Sequence, residues 1–123
     1  MPIFDVEIIV RQDEKLGNEL ASELANSIGE ILDSPSGAVW VKVRGILQEN
    51  YGENGTIASK GNYPVFVSIL KWRLPKPSEM AIEVATLTLT IAQVCNRAVD
   101  NVHLLYEPEG LGRVAFGGKI ITE

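Results

Sequence analysis

Pro2 has the clearest capacity for chemistry in this chain, because it directly follows Met1. If Met1 is removed, Pro2 carries a free secondary amine at the start of an apolar segment. Burial disfavours the protonated form of an amine, and a base poised near neutral pH is what proton-transfer catalysis requires. The alternative is structural, since a proline at the first residue of a strand gives up no ladder hydrogen bond.

Five further side chains form the predicted substrate-binding set: Arg11, Trp40, Tyr51, Trp72 and His103. Arg11 could hold a carboxylate through a bidentate pair, or be a solvated charge beside a helix start. His103 could exchange a proton near neutral pH, or be a hydrogen-bonded core residue of an apolar strand. Tyr51 could pack in the protein interior or donate a hydrogen bond to a substrate. Each tryptophan could cover a sheet face or line a pocket.

Basic residues also alternate with apolar ones in the predicted strands, at Lys42, Arg44, Lys71 and Arg73. Most of them are expected to face solvent or to form salt bridges between subunits. One or two would supply the positive field that a dianionic substrate needs.

The composition is that of a globular domain, with 46% apolar and 22% charged residues in a chain of 123. This length predicts a single domain over residues 1–123. The net charge of −5 argues against a nucleic-acid-binding surface, which would need clustered basic residues. It leaves room for a small basic pocket.

The cysteine and histidine counts limit the covalent and metal chemistry of the chain. A single cysteine, Cys95, excludes an internal disulfide, and one histidine excludes the usual zinc ligand sets. Cys95 lies in an apolar helical segment and is expected to be a buried, inert thiol. Neither an apolar membrane span nor a signal sequence is evident, so the sequence predicts a cytosolic protein.

The first half of the chain reads as strand, helix, strand. Ile3–Val10 is rich in β-branched and aromatic residues, and Asp5 and Glu7 alternate with apolar ones. Apolar residues then recur at helical spacing over residues 13–33, with Asp13 as the expected N-cap. Residues 38–47 alternate as a second strand.

The second half repeats this order. A long polar loop over residues 48–62 leads to a third strand at 64–72, a helix from an N-cap at Ser78 to about Ala98, a fourth strand at Val102–Tyr106, and a glycine-rich tail at 108–123 with one more short strand. The tripeptide at Pro2 matches the one at Pro64, so the halves at about 1–47 and 63–107 look duplicated.

Two duplicated βαβ units predict an α+β fold, in which a four-stranded sheet carries both helices on one face. The other face, with Trp40 and, depending on register, Trp72, has no covering layer in a chain of this length. Such a face is most easily buried against copies of the same chain, so we expect a homo-oligomer.

The chain resembles the tautomerase superfamily, which includes 4-oxalocrotonate tautomerase, 5-carboxymethyl-2-hydroxymuconate isomerase and macrophage migration inhibitory factor. The resemblance rests on the doubled βαβ order and on MPIF at residues 1–4, DSP at 33–35, VWV at 39–41, YGENG at 51–55 and NVHLLY at 101–106. It implies that Pro2 acts as general base or acid on small α-keto or enol acids. It also implies assembly into a trimer around a central barrel.

Several positions depart from the pattern of that family. Trp40 stands where short tautomerases carry a carboxylate-binding arginine, and Gln12, beside Arg11, stands at their other arginine. Ser34 replaces the lysine of migration inhibitory factor, and His103 replaces a tyrosine. The resemblance therefore implies a different substrate, or a weak activity.

Two functions from different classes follow. The first is a tautomerase in which Pro2 moves a proton within a small carboxylic acid substrate, and this reaction requires no cofactor and no metal. The second is a non-catalytic oligomeric ferredoxin-like module that binds a ligand or regulates another protein. Removal of Met1 separates them, because a retained methionine blocks the amine that the first function requires.

Overall fold

The computed structural model describes residues 2–55 and 63–122. In chain order the strands and helices are β1 Ile3–Val10, α1 Leu20–Ile31, β2 Trp40–Leu47, β3 Val65–Leu70, α2 Pro77–Cys95, β4 Val102–Tyr106, β5 Ala115–Phe116 and β6 Lys119–Ile120. Single-turn 3-10 helices lie at Gln48–Asn50 and Val99–Asn101. Within these described ranges, every helix is too short or too polar to cross a membrane.

The four long strands form one sheet in the order β2-β1-β3-β4. The pairs β1–β2 and β3–β4 are parallel, and β1 and β3 are antiparallel to each other. Ile3 lies opposite Trp40 on one side and Leu70 on the other. Each βαβ half thus forms a parallel pair, which confirms the predicted α+β architecture.

The core lies between the sheet and the two helices. Phe4, Val6 and Ile8 alternate along β1 and are almost completely buried, because every second side chain of a strand points to the same face. Leu24 of α1 and Leu87 of α2 belong to the same apolar cluster. Full burial of each such side chain contributes about 1.5–3 kcal/mol.

The first helix begins later than predicted, and Asp13 does not cap it. The helix starts at Leu20 after Glu19. Residues 11–14 form a turn instead, in which the Glu14 N–H donates to the Arg11 carbonyl at 3.1 Å and the Arg11 N–H donates to Glu14 Oε1 at 3.2 Å. The prediction was wrong here because the Glu14 carboxylate has partners outside the helix.

The second helix is bounded differently from the prediction at both ends. Lys76, not Ser78, is its N-cap, and Pro77 takes the first helical position, where no N–H is needed. The helix ends at Cys95 rather than near Ala98, because Asn96 adopts a left-handed conformation with φ 55°.

The tail forms two short strands, β5 and β6, where the sequence predicted one. Gly110 joins this tail to the end of β3, since its N–H donates to the Lys71 carbonyl at 2.8 Å. A Cβ at Gly110 would lie 2.9 Å from Val114 Cγ2, so the close approach requires glycine. Of the predicted loop at 48–62, residues 56–62 lie outside the described residues.

Candidate active site at the start of the central strand

One edge of the sheet, here called the proline edge, collects the starts of β1 and β2 and the ends of β3 and β4. This follows from the strand directions, because β3 and β4 run opposite to β1 and β2. Pro2, Trp40, Lys71, Trp72 and Tyr106 lie at this edge. The 8 residues of β1 place the opposite edge roughly 25 Å away.

Pro2 is buried and directly precedes β1, an interior strand of the sheet. Its carbonyl oxygen accepts the backbone N–H of Trp40 at 3.1 Å, which continues the β1–β2 ladder by one residue. By strand alternation Pro2 lies on the same side as Phe4, the side covered by the helices. The Pro2 side chain therefore lies on the helix side of the sheet at the proline edge.

Aromatic side chains gather at the proline edge. The Phe116 ring lies 5.1 Å from that of Trp40, edge to face, and 6.1 Å from that of Trp72. Trp40 is 41% exposed, and its indole N–H donates to the Gly37 carbonyl at 3.0 Å. The Trp72 indole nitrogen is buried and finds no acceptor among residues 2–55 and 63–122. The prediction did not include Phe116, whose place depends on the tail folding back.

A polar cluster of Lys71, Glu83 and Tyr106 lies at the same edge. Lys71 Nζ is 2.8 Å from Glu83 Oε1, and the Tyr106 hydroxyl donates a short hydrogen bond to the other oxygen of Glu83. The side chains of Lys71 and Glu83 are 21% and 14% exposed. Burial is the main cause that raises the pKa of Tyr106, and the hydrogen bond to the Glu83 carboxylate is the second.

Sequence reasoning missed this cluster because its members are distant in the chain. Glu83 is separated from Lys71 by 12 residues and from Tyr106 by 23. The available signal was that Glu83 interrupts the apolar stripe of α2 between Met80 and Val84. A carboxylate at such a position needs a buried partner.

Arg11 lies at the opposite edge, in contact with Tyr63. Its guanidinium carbon lies 4.3 Å from the centre of the Tyr63 ring, and its Nη1 lies 3.7 Å from Glu14 Oε1. Arg97, whose side chain is 8% exposed, donates to the Tyr63 and Ile9 carbonyls at 2.9 and 3.0 Å. Within one chain Arg11 is therefore remote from Pro2.

Tyr51 and His103 also lie toward that opposite edge. The Phe66 ring is 5.8 Å from that of Tyr51 and 5.5 Å from that of His103. Tyr51 donates to Glu53 at 2.6 Å, and this bond raises its pKa to about 12. His103 is exposed on the sheet face away from the helices, so the alternative of a core histidine is wrong. Of the predicted set, one chain brings only the two tryptophans to the proline edge.

The open sheet face carries ion pairs between β1 and β2. Lys42 Nζ lies 3.1 Å from Asp5 Oδ1, and Arg44 Nη2 lies 2.8 Å from Glu7 Oε2. Asp5 Oδ1 is screened from water, and its contact with Lys42 is an ion pair rather than a directed hydrogen bond. Both basic residues face solvent, as predicted, since their side chains are 63% and 57% exposed, and each also has a partner inside the chain.

A cavity of about 370 Å³ opens between the helices, lined by Ile31, Leu32, Glu79, Ile82, Glu83 and Thr86. Glu83 borders this cavity while its carboxylate contacts Lys71 and Tyr106. A larger and more polar depression of about 710 Å³ lies at the end of α1, around Asp33 and Gly37. Within the described ranges, no three Cys, His, Asp or Glu side chains come together as a metal site.

Comparison by sequence finds no matching family model and no matching curated protein. Comparison of structures finds clear likenesses. The macrophage migration inhibitory factor of Trichinella spiralis superposes with a TM-score of 0.72 and 16% identity, over 96% of this chain and 98% of that one. A fused 4-OT wild type, a symmetric trimer, gives 0.75 and 10%, over 96% and 94%. Pt0534 inactivated by 2-oxo-3-pentynoate gives 0.70 and 14%, over 96% and 94%. At these identities the likeness establishes the fold.

Proposed function

We propose that this chain, which has the fold of the tautomerase superfamily, is a cofactor-independent tautomerase with Pro2 as its general base. The observation that supports it most is the burial of Pro2 at the start of an interior strand. Aromatic side chains and a lysine gather at the same edge. A base at the border of the core, beside groups that can bind a planar acid, suits proton transfer.

The proposed reaction moves one proton within the substrate. After removal of Met1, the neutral Pro2 amine takes a proton from the carbon beside the keto group of a 2-oxo acid. The electron pair of that C–H bond becomes the enolate, and the protonated amine then returns the proton to the enolate oxygen. Burial favours the neutral amine that begins the cycle. Substrate and product are isomers, so no oxidant is consumed.

The substrates we propose are small α-keto or enol acids. The structural relatives support this choice, because one of them is a protein inactivated by the 2-oxo acid 2-oxo-3-pentynoate. The exposed ring of Trp40 and the neighbouring Phe116 would pack against the unsaturated part of the substrate. We place this activity in the cytoplasm.

We propose that the active form is a homotrimer. The fused 4-OT relative is a symmetric trimer. The open sheet face of this chain exposes apolar side chains such as Leu105, which is 62% exposed. In a ring of copies, residues of one chain's opposite edge could approach Pro2 of the next. Arg11, Tyr51 and His103 would then join the site from a neighbouring subunit.

The test combines mass spectrometry with turnover. Intact-mass measurement of the native protein is expected to show loss of Met1, and phenylpyruvate or 2-hydroxymuconate is expected to be isomerised. Pro2→Ala should abolish most of this turnover, because it removes the secondary amine. Pro64→Ala is the matched control, since Pro64 is also buried before a strand, but its nitrogen lies in a peptide bond.

The proposal fails if Met1 is retained, or if Pro2→Ala isomerises these acids as well as the parent does. The second candidate is then the non-catalytic ligand-binding or regulatory module. The pairing of Lys42 with Asp5 and of Arg44 with Glu7 favours it, because it reduces the positive charge available to an anionic substrate.

A further inference from the structure

We propose that Lys71 and Glu83, with Tyr106 holding Glu83 in place, form the charged group that tunes the basicity of Pro2. The inference rests on the proposed function of Pro2 and identifies positioning residues for it. Its three members come from the end of β3, from α2 and from the end of β4. They were brought together by the tertiary structure alone.

The strand register places Lys71 opposite Pro2. Ile3 pairs with Leu70 in the antiparallel β1–β3 ladder, so the next residues outward are Pro2 and Lys71. Directly opposite residues have Cβ atoms about 4.5–5.5 Å apart and point to the same face. That face is the helix side, because Lys71 contacts Glu83 of α2 there.

The contacts hold this lysine in one arrangement. Its ammonium lies 2.8 Å from one oxygen of Glu83, while the Tyr106 hydroxyl donates to the other oxygen. Both charged side chains are largely removed from water, so solvent screens their effects on a near neighbour only weakly. The backbone at Lys71 is also fixed, because its carbonyl accepts the N–H of Gly110 at 2.8 Å.

Two opposite charges beside an amine have opposite effects on its proton affinity. A cation disfavours the protonated amine, and a carboxylate favours it. In the intact pair these effects largely cancel, so burial is what sets the proton affinity of the Pro2 amine. Removal of either charge alone leaves the other uncompensated next to Pro2.

Other charged side chains lie near this edge but not at the position opposite Pro2. They are Glu30 and Asp33 at the end of α1, Arg73 after β3, Glu79 on α2, Glu107 and Glu109 after β4, and Arg113 and Lys119 in the tail, both exposed. Glu109 accepts the Leu74 N–H at 2.7 Å, and Arg73 is exposed and has an interaction of its own. Lys71 is the basic residue that the register sets opposite Pro2.

The experiment compares two charge-removing variants by the acid limb of the pH profile of kcat/KM. Glu83→Gln leaves the Lys71 cation uncompensated, so the limb should move to lower pH by about one unit. Lys71→Met leaves the Glu83 carboxylate uncompensated, so the limb should move to higher pH by a similar amount. The double variant should return close to the parent, because both charges are absent.

Glu79→Gln is the matched control, because Glu79 lies one turn earlier on the same helix and lines the same cavity. It should leave the limb where it is. A purely structural pair would lower stability and turnover in both variants without opposite shifts, and such a result overturns the inference. Lys71→Gln and Glu83→Ala replace any variant that does not fold.

A second readout separates this inference from the proposed function. Nitrogen NMR of protein labelled at proline follows the titration of the Pro2 amine without any substrate. Opposite shifts of that titration support the tuning pair even if the tested acids are poor substrates. Retention of Met1 would refute the catalytic role of Pro2 and this inference together. If Met1 is removed but the Pro2 amine titrates at the same pH in both variants as in the parent, this inference is refuted and the proposed function is not.

Discussion

The backbone N–H of Trp40 donates to the carbonyl oxygen of Pro2 at 3.1 Å, so the starts of β1 and β2 are joined at the proline edge. The bond fixes the backbone of Trp40 at the proline edge. It also couples the two halves of the first βαβ unit where the chemistry would occur. A substitution at Trp40 that keeps the backbone should therefore change binding more than folding.

Trp40→Ala should raise KM for an unsaturated 2-oxo acid by about tenfold, because a partly exposed aromatic wall worth about 1–1.5 kcal/mol is lost. The value of kcat should change less, since Trp40 offers no group for proton transfer. Steady-state kinetics on phenylpyruvate measure both. Trp40→Phe keeps a ring beside Phe116 and should restore most of the affinity; equal losses in both variants would contradict this role.

Arg97→Met should lower the free energy of unfolding by about 3 kcal/mol, because the backbone oxygens of Ile9 and Tyr63 lose a buried donor. Urea denaturation gives the value. Arg11→Met is the matched control, since Arg11 contacts the same Glu14 and the same Tyr63 ring but is 54% exposed. It should cost less than about 1 kcal/mol. Equal costs would show that burial is not the cause.

Glu14 should make stability depend on pH in the acid range. Burial raises its pKa, but the Arg11 N–H and the Arg97 guanidinium bind the carboxylate, and the net pKa lies below the ordinary value of 4.5. Because the pKa of Glu14 is lower in the folded protein than in the unfolded chain, the carboxylate stabilises the fold at pH values above 4.5. This stabilisation is lost as the pH falls through the pKa of the folded state. The parent should therefore lose its advantage over Glu14→Gln as pH falls below about 4.5 and through the folded pKa of Glu14. A constant difference in unfolding free energy would refute the linkage.

Gly110→Ala should lower stability by about 1–3 kcal/mol, because the new Cβ would lie 2.9 Å from Val114 Cγ2. Valine is stiff at χ1, so it cannot easily move aside. Thermal unfolding measures the effect. Gly52→Ala is the control, because a Cβ there meets nothing within 4 Å. If the two variants melt together, the tail is not packed tightly against the end of β3.

Much of the fold could be read from local patterns. Ile3–Val10 and Val102–Tyr106 have the bounds that their apolar and β-branched residues predict. The helix starts were less accurate, because the side chain of Glu14 bonds outside the helix and because Lys76, followed by Pro77, is the N-cap of α2 in place of Ser78. Capping depends on contacts that propensity does not include.

The candidate site was predictable only in part. Pro2 and the two tryptophans could be found, because proline after methionine and aromatic residues at strand ends are visible in the sequence. Arg11 and His103 were grouped with them by type, yet the strand directions carry these residues to the opposite edge. Residue type alone does not say at which edge of a sheet a side chain lies.

The sequence by itself determined the alternation of strands and helices, the buried face of each element and the proline that precedes the first strand. These properties depend on neighbours within a few residues, so periodicity reveals them. The tertiary structure decided the meeting of Lys71, Glu83 and Tyr106, and the separation of Arg11 from Pro2. Those relationships depend on strand order and on how α2 packs across the sheet, and only the folded chain fixes both.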